Sequence, residues 1–161
     1  MAADPIHVRP AEENDRRPLA LLFAAVAEER LIGAEPPVEV DKLAAEWHLD
    51  GTLVAIAADE LVGELRVEPS YFGYGEIGMM VAAAWRGRGV GTALVRESEA
   101  NLAFRGVRTV LLETATTNEA GIAFWERHGY RKEAVLKNYY SGRLDAFEMR
   151  KKLSATPGPG S

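Results

Sequence analysis

Between Val81 and Leu94 the chain reads Val-Ala-Ala-Ala-Trp-Arg-Gly-Arg-Gly-Val-Gly-Thr-Ala-Leu, and no other stretch constrains the fold as tightly. An apolar, strand-like run over residues 77–81 gives way to a basic, glycine-rich turn. The turn opens directly into a helical pattern with Leu94, Val95, Ser98 and Leu102 on one face. Gly87, Gly89 and Gly91 stand at alternate positions, where the backbone can curl its amide hydrogens inward with no side chains in the way. The helix that follows adds unpaired N–H groups and the positive end of its dipole. Arg86 and Arg88 supply charge at the same place. Such a turn suits a diphosphate.

Composition narrows the classes. A chain of 161 residues is long enough to bury one full core. A net charge of −5 argues against a general nucleic-acid or membrane-surface binder, because both need a basic face. The basic turn is therefore a local exception in an acidic protein. With no cysteine in the sequence, disulfides, thiolate catalysis and cysteine-ligated metals are excluded. His7, His48 and His128 show no metal-ligand spacing. The N-terminus is polar and no apolar run approaches membrane-spanning length, so a cytoplasmic protein is the expectation.

Residues 6–9 are β-prone and Pro10 ends them. Asn14 and Asp15 are N-cap types, and Pro18 falls in a first helical turn, where its missing N–H is tolerated. Leu19, Leu22, Phe23 and Val26 predict a first helix to about Arg30. Gly33 to Pro37 breaks it, and Val40, Leu43, Ala44 and Trp47 predict one face of a second, shorter helix. These paired helices either flank a substrate cleft or simply pack. Residues 52–58 and 61–67 read as strands joined by a tight Asp59-Glu60 turn. A loop over 69–75 leads to a strand over 76–81, then a helix from about Gly91 to Gly106 and a strand over 107–113. Asn118 caps a fourth helix that stops at Gly129. A final strand pair, 130–136 and 144–153, flanks a loop over 137–143. The expected organisation is one domain over residues 1–155 and a disordered tail over 156–161.

The turn can be compared with other phosphate-binding patterns. A dinucleotide fingerprint counted from Gly87 and Gly89 would need glycine where Thr92 stands, and a Walker loop would need a Gly-Lys-Ser/Thr ending that is absent. Arg86-x-x-Gly89-x-Gly91 between a strand and a helix does match the Arg/Gln-x-x-Gly-x-Gly pattern, and resembles the coenzyme A pyrophosphate loop of the GNAT (GCN5-related N-acetyltransferase) family. A second segment, Asn118-Glu-Ala120-Gly-Ile122-Ala-Phe124-Trp125-Glu-Arg-His-Gly129-Tyr130, is similar to the family's Asn-x-x-Ala-x-x-Phe/Leu-Tyr-x-x-x-Gly-Phe pattern. The element order resembles the whole GNAT fold from about Ile6 to Leu153. That implies an α/β (α+β) domain with a central, mixed, mostly antiparallel twisted sheet of about six to seven strands, about four flanking helices, and a splayed parallel strand pair in the middle.

The resemblance further implies acetyl-CoA as donor and direct attack by a primary amine in a ternary complex. Met79, Met80 and Val81 would flank the pantetheine arm, with a backbone N–H near Met80 or Val81 holding the thioester oxygen as it gains charge. Arg86, Gly87, Arg88, Gly89, Val90, Gly91 and Thr92 would surround the pyrophosphate, and Asn118 would contact the pantetheine. The acceptor stays open. The segments Leu111–Glu113, Asn138–Tyr140 and Asp145–Met149 are similar to ribosomal-protein and other N-terminal acetyltransferases, whereas Glu76-Ile-Gly-Met-Met80-Val81 is closer to small-molecule acetylases of the phosphinothricin type. The first likeness favours Glu113 as the base that deprotonates the amine, the second Glu76. Trp125 stands where the family commonly has a tyrosine that protonates the leaving thiolate, and an indole cannot deliver a proton at neutral pH. Tyr130, Tyr139 and Tyr140 are the alternative acids, with water as another source. The implied partners are a small-molecule or peptide amine, with no nucleic acid and no membrane, in a monomer or homodimer. A non-catalytic acyl-CoA-binding module is the rival reading.

Overall fold

The structure is a computed structural model, and it describes residues 4–68 and 71–154. The expected tail lies outside the described residues, as do Pro69 and Ser70 of the expected loop. The elements run β1 (His7–Pro10), α1 (Arg16–Ala27), α2 (Val40–Glu46), β2 (Thr52–Ala57), β3 (Glu60–Glu68), β4 (Tyr74–Val81), α3 (Val90–Phe104), β5 (Thr109–Ala115), α4 (Glu119–Arg127), β6 (Arg131–Tyr140) and β7 (Leu144–Lys152). The strands form a seven-stranded sheet in the order β1-β2-β3-β4-β5-β7-β6. Pairing is antiparallel for β1–β2, β2–β3, β5–β7 and β6–β7. The β4–β5 pair is parallel, in register from Tyr74↔Thr109 to Glu76↔Leu111. This is the mixed, mostly antiparallel sheet that the sequence led us to expect.

Three local expectations shift. Helix α2 ends at Glu46, and Trp47 is extended at φ −63 and ψ 128, so Trp47 reaches the core from beyond the helix. The β2–β3 turn is Ala58-Asp59, both left-handed at φ 49 and φ 60, one residue earlier than Asp59-Glu60. Two successive left-handed residues match the twist of a two-residue hairpin. Strand β6 runs to Tyr140, so Lys137 to Tyr140 belong to a strand and not to a loop. Asn138 at φ 53 sits where the register with β7 shifts between Leu136 and Tyr140. A bulge of this kind leaves a loop-like composition inside a strand.

The described chain divides into two compact units, one comprising residues up to 66 with 78–98, the other residues 67–77 with 99 onward. In the first unit, Leu19, Leu22 and Val26 recur at helical spacing along α1 and pack with Trp47, Val54 and Met80. Phe23 meets the Trp47 ring edge-on, with centroids 6.1 Å apart. In the second unit, β5 supplies buried Val110 and Leu112, and Leu102, Val107, Tyr130 and Met149 complete a core of fully enclosed side chains.

Candidate active site

In the first unit, β4 carries Met79, Met80 and Val81 toward the glycine-rich turn, with Met80 buried. Gly87 and Gly89 adopt φ 72 and φ 90, a region that side-chain-bearing residues rarely enter. Gly91 lies inside the first turn of α3 and is buried, so two glycines make the curl and the third serves helix packing. The Ala93 N–H donates to the Gly89 carbonyl at 3.0 Å, so the Val90 and Gly91 amides precede this first intrahelical bond. A helix start of this kind attracts anions.

The two arginines of the turn have different surroundings. Arg86 donates from Nη1 and Nη2 to the Glu29 carboxylate at 2.5 and 2.6 Å, and from Nε to the Val81 carbonyl at 3.1 Å. Glu29 is held below the usual carboxylate range by that hydrogen-bonded guanidinium. Arg86 therefore ties the turn to the residues just after α1, and much of its charge is answered there. Nothing in the spacing of the sequence announced this partner. Arg88 lies over the Trp85 ring, 4.0 Å from its centroid, with an Asp4 carboxylate oxygen 3.9 Å away and half its side chain exposed. Trp85 is thus the platform for the more accessible of the two cations.

In the second unit, Glu76 of β4, Glu113 of β5 and Glu148 of β7 share one face of the sheet. Glu76 pairs with Leu111, Glu113 lies two residues further along the same strand, and Glu113 pairs with Glu148. Alternate strand residues and register partners point to the same side. Burial pushes the Glu113 carboxyl up to about 8, reinforced by a hydrogen bond and charge from Glu76 and by the charge of Glu148. A hydrogen bond between two carboxyl groups requires a proton. Glu113 therefore favours its protonated form at neutral pH. Glu148 is tied to Arg150, whose Nε and Nη2 donate at 2.8 and 2.7 Å. Among the described residues, no group of His, Asp or Glu side chains is arranged to hold a metal ion.

Tyr139 and Tyr140 stand edge-on to one another at 5.0 Å. Tyr139 is 47% exposed, and burial followed by the charges of Glu113, Glu76 and Glu148 raises its phenol above the ordinary tyrosine range. Tyr140 is raised as well, by burial and then by Tyr139 and Glu113. The structure thus brings four of the five candidate catalytic residues together. Tyr130 is placed differently. It is enclosed at 1% exposure, and its hydroxyl donates to Glu99 Oε2 at 3.0 Å. Lys151 takes the other oxygen of that carboxylate at 2.6 Å. Trp125 is also a core residue, edge-on to Tyr130 at 5.1 Å. Asn118 caps α4 by accepting the Gly121 N–H at 3.0 Å, which occupies its side-chain oxygen and leaves its amide N–H groups as donors. Glu148 and Arg150 escaped the sequence reading, because their place beside Glu113 depends on strand register rather than on a motif.

Residues 22–130 match the model of the Acetyltransferase (GNAT) family. The chain belongs to the GNAT family. A curated relative, the N-alpha-acetyltransferase RimI of Mycobacterium tuberculosis, is 36% identical over 103 residues, which cover 63% of this chain and 60% of that protein. The chain spans from about half to three-fifths of the length of the curated relatives it matches first. Among solved structures, a protein provisionally assigned as a phosphinothricin N-acetyltransferase aligns at TM-score 0.80 and 21% identity, over 93% of this chain and 99% of that one. The Salmonella typhimurium protein yncA, solved with its cofactor acetyl-CoA, aligns at TM-score 0.78 and 20% identity, over 98% and 99% of the two chains. Both structural likenesses concern the GNAT fold.

Proposed function

We propose that this GNAT chain transfers an acetyl group from acetyl-CoA to a primary amine. The observation that carries the reading is the strand register that sets Glu76 and Glu113 on one face of the sheet, with Tyr139 and Tyr140 close enough to feel their charges. An amine acceptor arrives mostly as its ammonium and must lose a proton before it attacks. Glu113 in its ionised form accepts that proton, and burial raises its basicity toward working pH. Both phenols keep their protons at neutral pH, so either can donate one to the departing sulfur.

Acetyl-CoA fits the glycine-rich turn. A Cβ at Gly87 would meet nothing within 4 Å, so the backbone there is open to approach, and the Val90 and Gly91 amides and the Arg88 guanidinium offer donors to a diphosphate. Bound there, the donor supplies an activated thioester carbonyl. Met79, Met80 and Val81 would then border the pantetheine arm, and Arg86 would hold the shape of the turn.

Binding is tested by thermal unfolding. Acetyl-CoA at about 100 times its dissociation constant adds roughly 2.7 kcal/mol of stability, which for a chain of this size raises Tm by several degrees. The shift shrinks in Arg88→Ala. No shift with acetyl-CoA or with other acyl-CoAs would remove the donor assignment. A second reading, an acyl-CoA-binding module without turnover, is favoured by Trp125, whose indole N–H cannot be transferred to the leaving sulfur at neutral pH. It predicts the same Tm shift and no thiol release with any amine.

A further inference from the structure

We infer that Arg150 of β7 is a positioning residue for Glu113: it clamps Glu148, which stands opposite Glu113 across the β5–β7 register, so that the candidate base faces an ion pair and not a lone negative charge. The inference rests on the acetyl-transfer reading and names what sets the basicity of that same site within the second unit.

Glu113 and Glu148 are register partners on neighbouring antiparallel strands, so their Cβ atoms stand about 4.5–5.5 Å apart on one side of the sheet. Like charges in that arrangement repel. Strand alternation puts Arg150, two residues beyond Glu148, on the same side, where it pairs with Leu111. From there its Nε donates to Glu148 Oε1 at 2.8 Å, and its Nη2 lies 2.7 Å from the same oxygen. The guanidinium also lies over the Tyr74 ring, with Cζ 5.8 Å from the centroid, within reach of cation–π attraction. Strand β5 lies between β7 and β4, so Arg150 reaches past β5 to find that ring. Two anchors therefore fix one planar cation beside Glu148. At 41% side-chain exposure Arg150 is not a core strut, so its replacement tests charge rather than packing.

The other groups facing this site come from the same strands. From β4 come Glu76 and Tyr74, and from β6 come Tyr139, Tyr140 and Glu133, the last acting on Arg150. Two further cations lie nearby: Arg131 of β6 pairs with Arg150, and Lys152 of β7 pairs with Thr109. Neither is nearer to Glu148 along the strands than Arg150. Lys151 alternates to the opposite face, where it meets Glu99 of α3. The clamp thus offsets the charge at Glu148 and leaves the negative charge of the cluster on Glu76 and Glu113. Burial, then Glu76, then Glu148 push the Glu113 carboxyl up, and a cation fixed on Glu148 limits the last of these contributions.

The test reads Glu113 in two ways on the full chain. One is the ascending limb of kcat/KM against pH, with acetyl-CoA and a primary amine. The other is the NMR titration of the side-chain carboxyl in glutamate-labelled protein, assigned with Glu113→Gln. Arg150→Gln leaves Glu148 bare and moves both midpoints up by about one pH unit, whereas Glu148→Gln leaves Arg150 unanswered and moves both down. The double variant falls between the two. Arg150→Lys, which keeps the charge, stays closer to wild type than Arg150→Gln. A clamp that served stability alone would lower Tm in Arg150→Gln and leave both midpoints in place. That result would overturn the inference, as would shifts of the same sign in the two single variants. An NMR midpoint that moves while the rate limb stays would place the base elsewhere and end the positioning role. If no amine is turned over, the NMR titration decides alone. Opposite shifts then keep the Arg150 clamp while acetyl transfer falls, and unmoved midpoints sink the clamp whether or not acetyl transfer stands.

Discussion

Replacing Glu113 with Gln lowers kcat by about 10²–10⁴-fold, the range expected when a positioned general base is lost, while the Tm shift with acetyl-CoA is kept. Glutamine preserves the shape and a hydrogen bond to Glu76 but cannot take the ammonium proton. The pH dependence carries the sharper signature. Because burial, Glu76 and Glu148 push the Glu113 carboxyl up to about 8, kcat/KM in the wild type rises as pH climbs through that region. Glu76→Gln removes a neighbouring charge, so the ascending limb moves to lower pH and substantial activity remains. Steady-state rates between pH 5.5 and 9.5 check both variants. The opposite pattern, with Glu76→Gln inactive and Glu113→Gln retaining its rate, would pass the base to Glu76. Unaltered rates in both would remove the pair from the mechanism.

The same shift has a stability consequence with a definite sign. Glu113 binds its proton more tightly folded than unfolded, so its contribution is fully present below the unfolded pKa and is lost as pH rises through the folded value. Glu113→Gln is therefore no less stable than wild type at pH 9, which separates lost catalysis from lost folding.

How much of this was legible follows from which interactions are local. The strand–turn–helix around Arg86–Thr92 announces itself, because left-handed glycines and a helix start are properties of a few consecutive residues. The parallel β4–β5 pair and the paired glutamates came from the family resemblance and from residue type at strand ends. The carboxylate cluster was only half visible. Glu148 meets Glu113 through the β5–β7 register, and a register between strands 35 positions apart, 113 against 148, leaves no local trace. Arg86 shows the same limit, since its partner Glu29 lies 57 positions away. Tyr139 and Tyr140 were displaced from strand to loop because Asn138, Ser141 and Gly142 carry turn chemistry, which here makes a bulge and a hairpin end. Glu64 was hidden by alternation itself. In β3 it reads as the polar half of a half-buried strand, yet α1, α2 and Trp47 cover the face it occupies.

That covered face leads to the second large effect. Replacing Glu64 with Gln stabilises the protein at alkaline pH and does so progressively less as pH falls. Burial pushes the Glu64 carboxyl up to about 7, against the opposing pull of Arg66. The folded state thus favours the protonated form. Its contribution is fully present below the unfolded value near 4.5 and is lost as pH rises through about 7. The displacement corresponds to a loss on the order of 3 kcal/mol between pH 5 and pH 9, which Gln, having no proton to lose, does not suffer. Urea unfolding of both proteins at the two pH values isolates the term, because any fixed cost of burying an amide cancels in the difference. A stability gap between Glu64→Gln and wild type that fails to widen from pH 5 to pH 9 would show that Arg66 compensates the buried charge fully. A gap that widens would identify Glu64 as a buried charge that the fold keeps at the expense of stability.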